Sequence, residues 1–514
     1  MHTSPDPADV LIVGSGIMGA SVAALLRESS PELQLVMVDG GLPVGGTPGQ
    51  HLHDVEDPVL WDRYNERVQS GIQGMYVGAE VNPEQVESIA DATPGMFHAG
   101  NLGHDSAEMP LAALSWNLGG MGVHWTAATP WPWGQETFDG GDPEGWQADL
   151  DTARRLLSVQ SSPLGPTAAG QVVLDVLRDY YAEAAAPGRE PQAMPMAIAP
   201  RPDGFATRTG PATIFPPIGG SPDDAFELLV GALATRLVVE DGAARGAIVR
   251  DVGTGEEREL RARTVIVCAD AVRTPQLLFA SGIRPAALGR YLNEHAFIAS
   301  RVLMDLDRFG LALGELPRNH EGEFATDSLW IPQSGDAQPF HGQVMNTTYV
   351  DDTDAALAYS VGISLYVPIE SRAVNRLEFS DDELDVFGMP KVSFRFDYSE
   401  RDRALIDRAV AEVRELAPRF GPFDPATELA VLPPGSSLHL TGTVRTGEVD
   451  DGTSVCDPDG RVWGFENLYL AGTGVIPTPI ACNTTLTGTI TAVRAARAAA
   501  LALAGPGREE ARVA

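Results

Sequence analysis

The sequence predicts a mixed α/β protein in which a doubly wound parallel sheet is joined to a second, α+β unit built on its own sheet. Three observations carry the prediction. An apolar run at 10–13 turns through glycines into a helical stretch at 17–26, and a second apolar run follows at 33–38. Short alternating strands return at 237–239, 247–249 and 265–267, with Gly253 and Gly255 marking the turn between the last two. Strands mixed with one strong helix, 399–416, fill the stretch from 297 to 432. A chain of 514 residues has room for two hydrophobic cores. The expected division puts 1–150, 228–300 and 435–514 in a discontinuous first domain, and 151–227 with 301–434 in the second.

The first strand–turn–helix contains Gly14-Ser15-Gly16-Ile17-Met18-Gly19. Gly14 allows the tight turn, Gly16 lets backbone approach a pyrophosphate, and Gly19 lets the helix pack closely on the sheet. The helix N-terminus offers free N–H groups and a positive dipole to phosphates. Asp39 follows the second apolar run, about twenty residues after Gly19, placed to accept hydrogen bonds from a ribose 2′-OH. The pattern reads as a Rossmann-like dinucleotide site. Its bland alternative is a glycine-tolerant turn in an unrelated α/β domain, and the loop alone does not separate FAD from NAD.

Residues 40–112 read as loops with short helices, 146–157 and 168–186 as amphipathic helices, and 192–222 as a proline-rich segment over a surface or beside a site. In Asn117-Leu118-Gly119-Gly120-Met121-Gly122-Val123-His124-Trp125-Thr126, three glycines let backbone come close to a flat ring system. His124 is either part of that contact or a core histidine beside an indole.

Composition excludes several classes. The chain has 36 basic and 70 acidic side chains, a net charge of −34, which repels phosphate backbones and argues against nucleic acid as a partner. Lys391 is the single lysine. Cys268, Cys456 and Cys482 show no CxxC spacing, so neither a disulfide framework nor a zinc site is expected. His51, His53, His98 and His104 read as loop histidines rather than metal ligands. Residues 1–8 are short and polar, without a secretion signal, and no stretch is apolar enough to span a bilayer. The alanine-rich tail at 492–504, interrupted by Arg494 and Arg497, reads as a packed helix. A cytoplasmic protein without a membrane partner or metal is expected. A homo-oligomer is compatible with all of this.

Two late residues bear on chemistry: His439, in Ser436-Ser437-Leu438-His439, and Asn483, in Cys482-Asn483-Thr484-Thr485-Leu486-Thr487. Oxidising an alcohol requires a group that takes the hydroxyl proton while hydride leaves the carbon, and neutral imidazole suits that task. A side-chain amide beside it orients the same hydroxyl without competing for the proton. Alternatively, Asn483 only caps the helix that follows.

Taken together these motifs resemble the glucose–methanol–choline oxidoreductases, within them the pyranose 2-oxidase branch and the similar bacterial oxidases that attack C3 of glycosides. The resemblance also rests on Thr274-Pro275-Gln276-Leu277-Leu278, Gly289-Arg290-Tyr291-Leu292-Asn293-Glu294-His295, Asn375-Arg376-Leu377-Glu378-Phe379-Ser380 with Gly388-Met389-Pro390, and His439-Leu440-Thr441-Gly442-Thr443-Val444-Arg445. It implies FAD as cofactor and an FAD domain assembled from separated segments. It implies His439 as catalytic base and Asn483 as its partner. It puts Val238 and Ala269 beside the adenine, Gly472 beside the flavin phosphates, and Gly119, Gly120, Met121, Trp125, Thr126 and Thr485 among the cofactor contacts. His124 matches a histidine that is covalently joined to flavin in fungal pyranose oxidases. Val123 stands where those enzymes carry threonine, so covalent and noncovalent attachment both stay open.

The segment from His341 to Tyr349 resembles the fungal substrate loop at its start, and offers Gln343 and Thr347, with Thr126, as substrate contacts. Thr347 replaces an acidic residue that helps seat a monosaccharide. The implied reaction is oxidation of a secondary hydroxyl, C3 of a C- or O-glycoside, with hydride to flavin N5 and reoxidation by O2 to H2O2. Alternatives are a pyranose 2-oxidase acting on free glucose, a quinone-dependent sugar dehydrogenase, and a non-redox FAD-containing lyase on the same fold.

Overall fold

A computed structural model describes residues 7–62, 86–89, 92–200, 206–318 and 325–505. The first strand, β1 (Ala8–Val13), is buried on both faces, as its unbroken apolar run requires of a parallel strand. It pairs in parallel with β2 (Leu35–Asp39), and β2 pairs with β3 (Phe226–Val230). A meander of β4 (Ala232–Glu240), β5 (Ala243–Asp251) and β6 (Glu257–Val267) returns the chain to the other side of β1. The strand order is β3-β2-β1-β6-β5-β4. Helix α1 (Ile17–Ser29) lies directly on this sheet, because a side chain at Gly19 would come within 2.0 Å of the Gly14 carbonyl oxygen.

Helices α2 (Pro143–Leu156) and α3 (Ala168–Tyr180) follow, each capped by a side chain, Asp142 onto Gly145 N–H and Thr167 onto Gly170 N–H. The second helix stops at Tyr180, six residues short of the expected end at 186, where backbone turns take over. Helix α4 (Asp270–Ala280) leaves β6.

The second sheet is antiparallel. Its main strands are β7 (His295–Leu303), β8 (Asp327–Ile331), β9 (His341–Val350), β10 (Ala356–Pro368) and β11 (Leu429–Val431), in the order β11-β7-β10-β9-β8, with Gln192–Ala193 on the outer edge of β8. Helix α5 (Glu400–Leu416) packs against β7 and β10. Its capping box is reciprocal: the Ser399 hydroxyl accepts from Asp402 N–H, and the Asp402 carboxylate accepts from Ser399 N–H. Because β7 begins at His295, it runs across the boundary expected at 300.

The chain then returns to the first sheet through β12 (Leu468–Leu470), parallel to β6, and α6 (Thr484–Ala504) follows. Helix α6 is buried on most of its circumference against α1 and α2. The two arginines that interrupt its alanines converge on buried Asp149 of α2, at 2.9 Å from Arg494 Nε and 2.5 Å from Arg497 Nη1. Among the described residues, no helix is long and apolar enough to cross a membrane.

Candidate active site

A cavity of about 850 Å³ lies between the two sheets. One end opens at the carboxyl ends of β1, β2 and β6, the position where open α/β sheets bind ligands. Gly14, Gly16, Asp39, Ala269 and Gly472 line it. Gly14 adopts φ +102°, and a Cβ there would press on the Cys268 carbonyl at 2.5 Å. At Gly16 the nearest protein atom to a Cβ is 3.6 Å away, so the space beyond it belongs to the cavity. Gly16 also caps α1 without any side-chain hydrogen bond, which leaves the helix N–H groups free.

Asp39 braces this loop. Its Oδ2 accepts from Ser15 N–H at 2.9 Å and from the Ser15 hydroxyl at 2.6 Å, and its Oδ1 accepts from Gly41 N–H at 2.7 Å. Burial raises its pKa, with those three bonds opposing. Ser15 Oγ in turn accepts from Gly119 N–H at 2.8 Å, tying the two glycine loops together. Arg273 lies over the rings of Trp116 and Phe387, donates to the Ser115 carbonyl, and keeps a buried Nη2 without a partner. A cradle lacking side chains, free helix N–H groups and an orphaned guanidinium N–H fit the diphosphate and polar edges of FAD. Val238 does not take part. It stands near the far end of β4, opposite Gly246, and Leu233 and Ala234 at the start of that strand line the cavity instead.

The middle of the cavity is walled by Gly120, Met121, Gly122, His124, Trp125 and Thr126. The Ser115 hydroxyl donates to Asn117 Oδ1 at 2.8 Å, so it accepts from His124 Nε2 at 2.9 Å. Burial lowers the His124 pKa to about 3. Trp125 Nε1 donates to the Thr209 carbonyl, and the Trp125 carbonyl faces His51 Nε2 at 2.9 Å. The other ring nitrogen of His51 accepts from the backbone N–H of His53, so both nitrogens of the His51 ring are spent on structure.

Beyond them stand His439 and Asn483, which the structure brings together from the two ends of a 44-residue separation. Two further histidines fix their chemistry. The Ile480 carbonyl lies 2.7 Å from His295 Nδ1, which must therefore carry hydrogen. His295 Nε2 is then an acceptor, and it receives the Nδ1–H of His439 at 2.7 Å. His439 Nε2 is left as a lone pair. On the other side, Trp330 Nε1–H donates to His341 Nδ1 at 2.7 Å, so His341 Nε2–H donates to Asn483 Oδ1 at 3.1 Å. The Asn483 amide must then turn its NH2 group to His439 Nε2, 3.4 Å away. Every orientation follows from an indole that can only donate and a carbonyl that can only accept.

Burial, followed by the charge of His295 and His341, holds the His439 pKa well below the usual imidazole value. His295 is lowered to about 4, and His341 falls well below its ordinary value, both by burial first. The loop before Asn483 is gripped again at Ala481, whose N–H donates to buried Glu136 at 2.6 Å. Leu438, just ahead of His439, holds φ +59°, a strained setting for a branched side chain.

The remaining wall is the face of the second sheet. Side chains alternate along the strands, so cross-strand partners form ranks. Phe297, Tyr366 and His341 make the first, Ala299, Ser364 and Gln343 the next, then Arg301, Gly362 and Met345. Tyr366 stacks on His341 and meets His439 edge-on at 5.8 Å. Gln343 is 4% exposed and its Nε2 has no partner. Thr347 is six residues from His341 along β9, about 20 Å at ~3.4 Å per residue. It lines the outer end, too far to hold a sugar ring that reacts beside His439. Thr485 lines the cavity at the start of α6. Sequence reasoning missed the roles of His295, His341 and Glu136, although the first two sit inside segments that carry the family resemblance.

The GMC oxidoreductase signatures match residues 222–297 and 371–492. The chain is 39% identical to a C-glycoside 3-oxidase of Microbacterium trichothecenolyticum, with 96% of each chain covered. It is 38% identical to a C-glycoside 3-oxidase of Arthrobacter globiformis, over 96% of this chain and 95% of that one. Similarity to a pyranose 2-oxidase of Tricholoma matsutake is lower, 25% over 95% of this chain and 93% of the other. A solved structure, pyridoxine 4-oxidase from Mesorbium loti, superposes with a TM-score of 0.59 at 17% identity, covering 95% of this chain and 98% of that one, and shows likeness of fold.

Proposed function

The chain belongs to the GMC oxidoreductase family, and from that footing we propose that it oxidises the C3 hydroxyl of a C- or O-glycoside to a keto sugar, with O2 as the final electron acceptor. FAD is the cofactor and supplies the hydride acceptor when bound. The observation that carries the reading is the lone pair of His439 Nε2, facing the cavity beside the Asn483 NH2 group. The substrate O–H gives its proton to Nε2, and Asn483 donates a hydrogen bond to the same oxygen. His439 is neutral before the reaction because burial keeps it so. As it gains the proton, its Nδ1–H bond to His295 spreads the new charge. Gln343 Nε2, one rank away, donates to a neighbouring sugar hydroxyl.

The reading is tested by adding a phenyl C-glucoside to the FAD-loaded protein without oxygen, then locating the product carbonyl by NMR. Loss of the oxidised-flavin absorbance and a carbonyl at C3 are expected, with peroxide formed once air is admitted. Unchanged absorbance across a panel of glycosides would instead favour a non-redox lyase. A carbonyl at C2, with free glucose preferred, would return the chain to pyranose 2-oxidase chemistry. Dye reduction without peroxide would indicate a quinone-type acceptor.

A further inference from the structure

The cavity is longer than a sugar. From the rank of Tyr366 it continues along β7, β10 and β9 to Arg301, Leu303, Met345 and Thr347. Arg301 is four residues from Phe297 on β7, about 13 Å along the strand. A pyranose ring held at His439 cannot reach it, but the group attached to that ring can.

Arg301 is unusual in its surroundings. The protein has almost two acidic groups for every basic one, and its exposed arginines pair with carboxylates at many points. Among the described residues, the Arg301 side chain has a single partner, the Tyr349 hydroxyl at 2.7 Å. Tyr349 is on β9, two strands over. Tyr349 is also four residues beyond Met345, the residue of β9 level with Arg301, so the side chain runs diagonally outward across β10 to reach it. Glu428, whose carbonyl accepts from Arg301 N–H across the strand pair, also lines the cavity, but its Oε2 accepts from Asp424 N–H at 2.5 Å and, among the described residues, its carboxylate makes no ion pair with Arg301. The guanidinium is thus held across the outer cavity by a neutral partner, with donors to spare. Met345, Leu303 and Ala430 give the same region an apolar floor.

Building on the glycoside reading above, we infer that Arg301 and Tyr349 form an aglycone subsite for a planar group carrying a negative charge, a carboxylate or an ionised phenol. A guanidinium binds a carboxylate through two parallel N–H donors and also stacks on an aromatic plane, which an ammonium does not do. Tyr349 sets the plane of the fork, and Gly362 keeps the floor flat beneath the ring. The selectivity comes from Arg301, while the sugar is still oxidised by His439 and Asn483.

The test compares 4-carboxyphenyl β-D-glucoside with its methyl ester on the FAD-loaded protein, wild type and Arg301→Gln. In the wild type the acid is expected to have a kcat/KM about tenfold above the ester, the usual worth of a charge-assisted pair in a partly wet site. Arg301→Gln should abolish that preference, raising KM for the acid about tenfold relative to the ester. Arg301→Lys should restore only part of it. Equal kcat/KM for acid and ester in the wild type would overturn the inference without reference to any variant. So would an Arg301→Gln loss of the same size on both substrates. If neither glucoside reduces the flavin in the wild type, it is the oxidase reading that fails, and the subsite is then judged by whether the acid still binds in calorimetry and the ester does not.

Discussion

His439 can act as a base only through the ring nitrogen that lacks hydrogen, and that choice is made two residues away. The Ile480 carbonyl orients His295, and His295 orients His439. Replacing His295 by alanine removes the acceptor, so His439 divides between tautomers and half-fills the wrong one. We expect flavin reduction to slow by roughly 10- to 100-fold with KM little changed, since general-base catalysis contributes on the order of 10²–10⁴. His295→Gln offers an amide oxygen to the same Nδ1–H and should recover much of the rate. Stopped-flow reduction decides between this and a packing role. A rise in KM of the same size, or no recovery with glutamine, would show that His295 only fills space. The low pKa of His439 has a matching signature: the rate should stay flat as pH falls from 8 through 6.5, because the base remains neutral there.

At the scale of the element, the segment from Gly435 to Leu440 carries His439 and is anchored by Glu294. Its carboxylate accepts from Gly435 N–H at 2.5 Å and from the Ser437 hydroxyl at 2.8 Å. Burial nevertheless dominates and pushes its pKa up to about 7. Between the ordinary 4.5 and 7, the native protein therefore holds a proton that the unfolded chain has released, and this contribution to stability falls as pH rises through that window. Glu294→Gln has no proton to lose. Its stability relative to wild type should improve between pH 5 and pH 8, by up to about 3 kcal/mol. Thermal midpoints of both proteins at the two pH values measure this, and a difference that does not change with pH would refute it.

Elements of this kind also show what the sequence could reveal. Helix α1 and the helix behind Ser399 were legible because periodicity and caps are local. The turn at Gly14 was legible because only glycine fits it. The circuit behind His439 was not, since His295, His341 and Trp330 sit on separate strands and Ile480 on a distant loop, and no local pattern encodes their meeting. Val238 was misplaced for a related reason. Every apolar residue along β4 looks alike until the β5 register shows which end of the strand meets the cavity.

For the whole molecule, charge is the dominant unpaired quantity. With a net charge of −34, even complete pairing would leave many carboxylates without a basic partner. Most observed pairs are exposed, such as Arg155 with Glu28 and Arg284 with Asp381, and such pairs contribute little. Self-repulsion of the remainder acts over a Debye length of about 30 Å at 0.01 M salt and about 10 Å at 0.1 M. Raising sodium chloride from 10 to 200 mM should therefore raise the melting temperature of the FAD-loaded protein, by about 2–5 °C. A flat or falling Tm would mean that the exposed pairs outweigh the repulsion. The catalytic circuit is a separate matter, because its bonds are buried and join neutral groups. Over the same salt range kcat on a neutral glycoside should hold constant. A kcat that followed Tm would place the field of the surface carboxylates on the catalytic circuit itself, where the structure puts only hydrogen bonds between neutral rings, an amide and a backbone carbonyl.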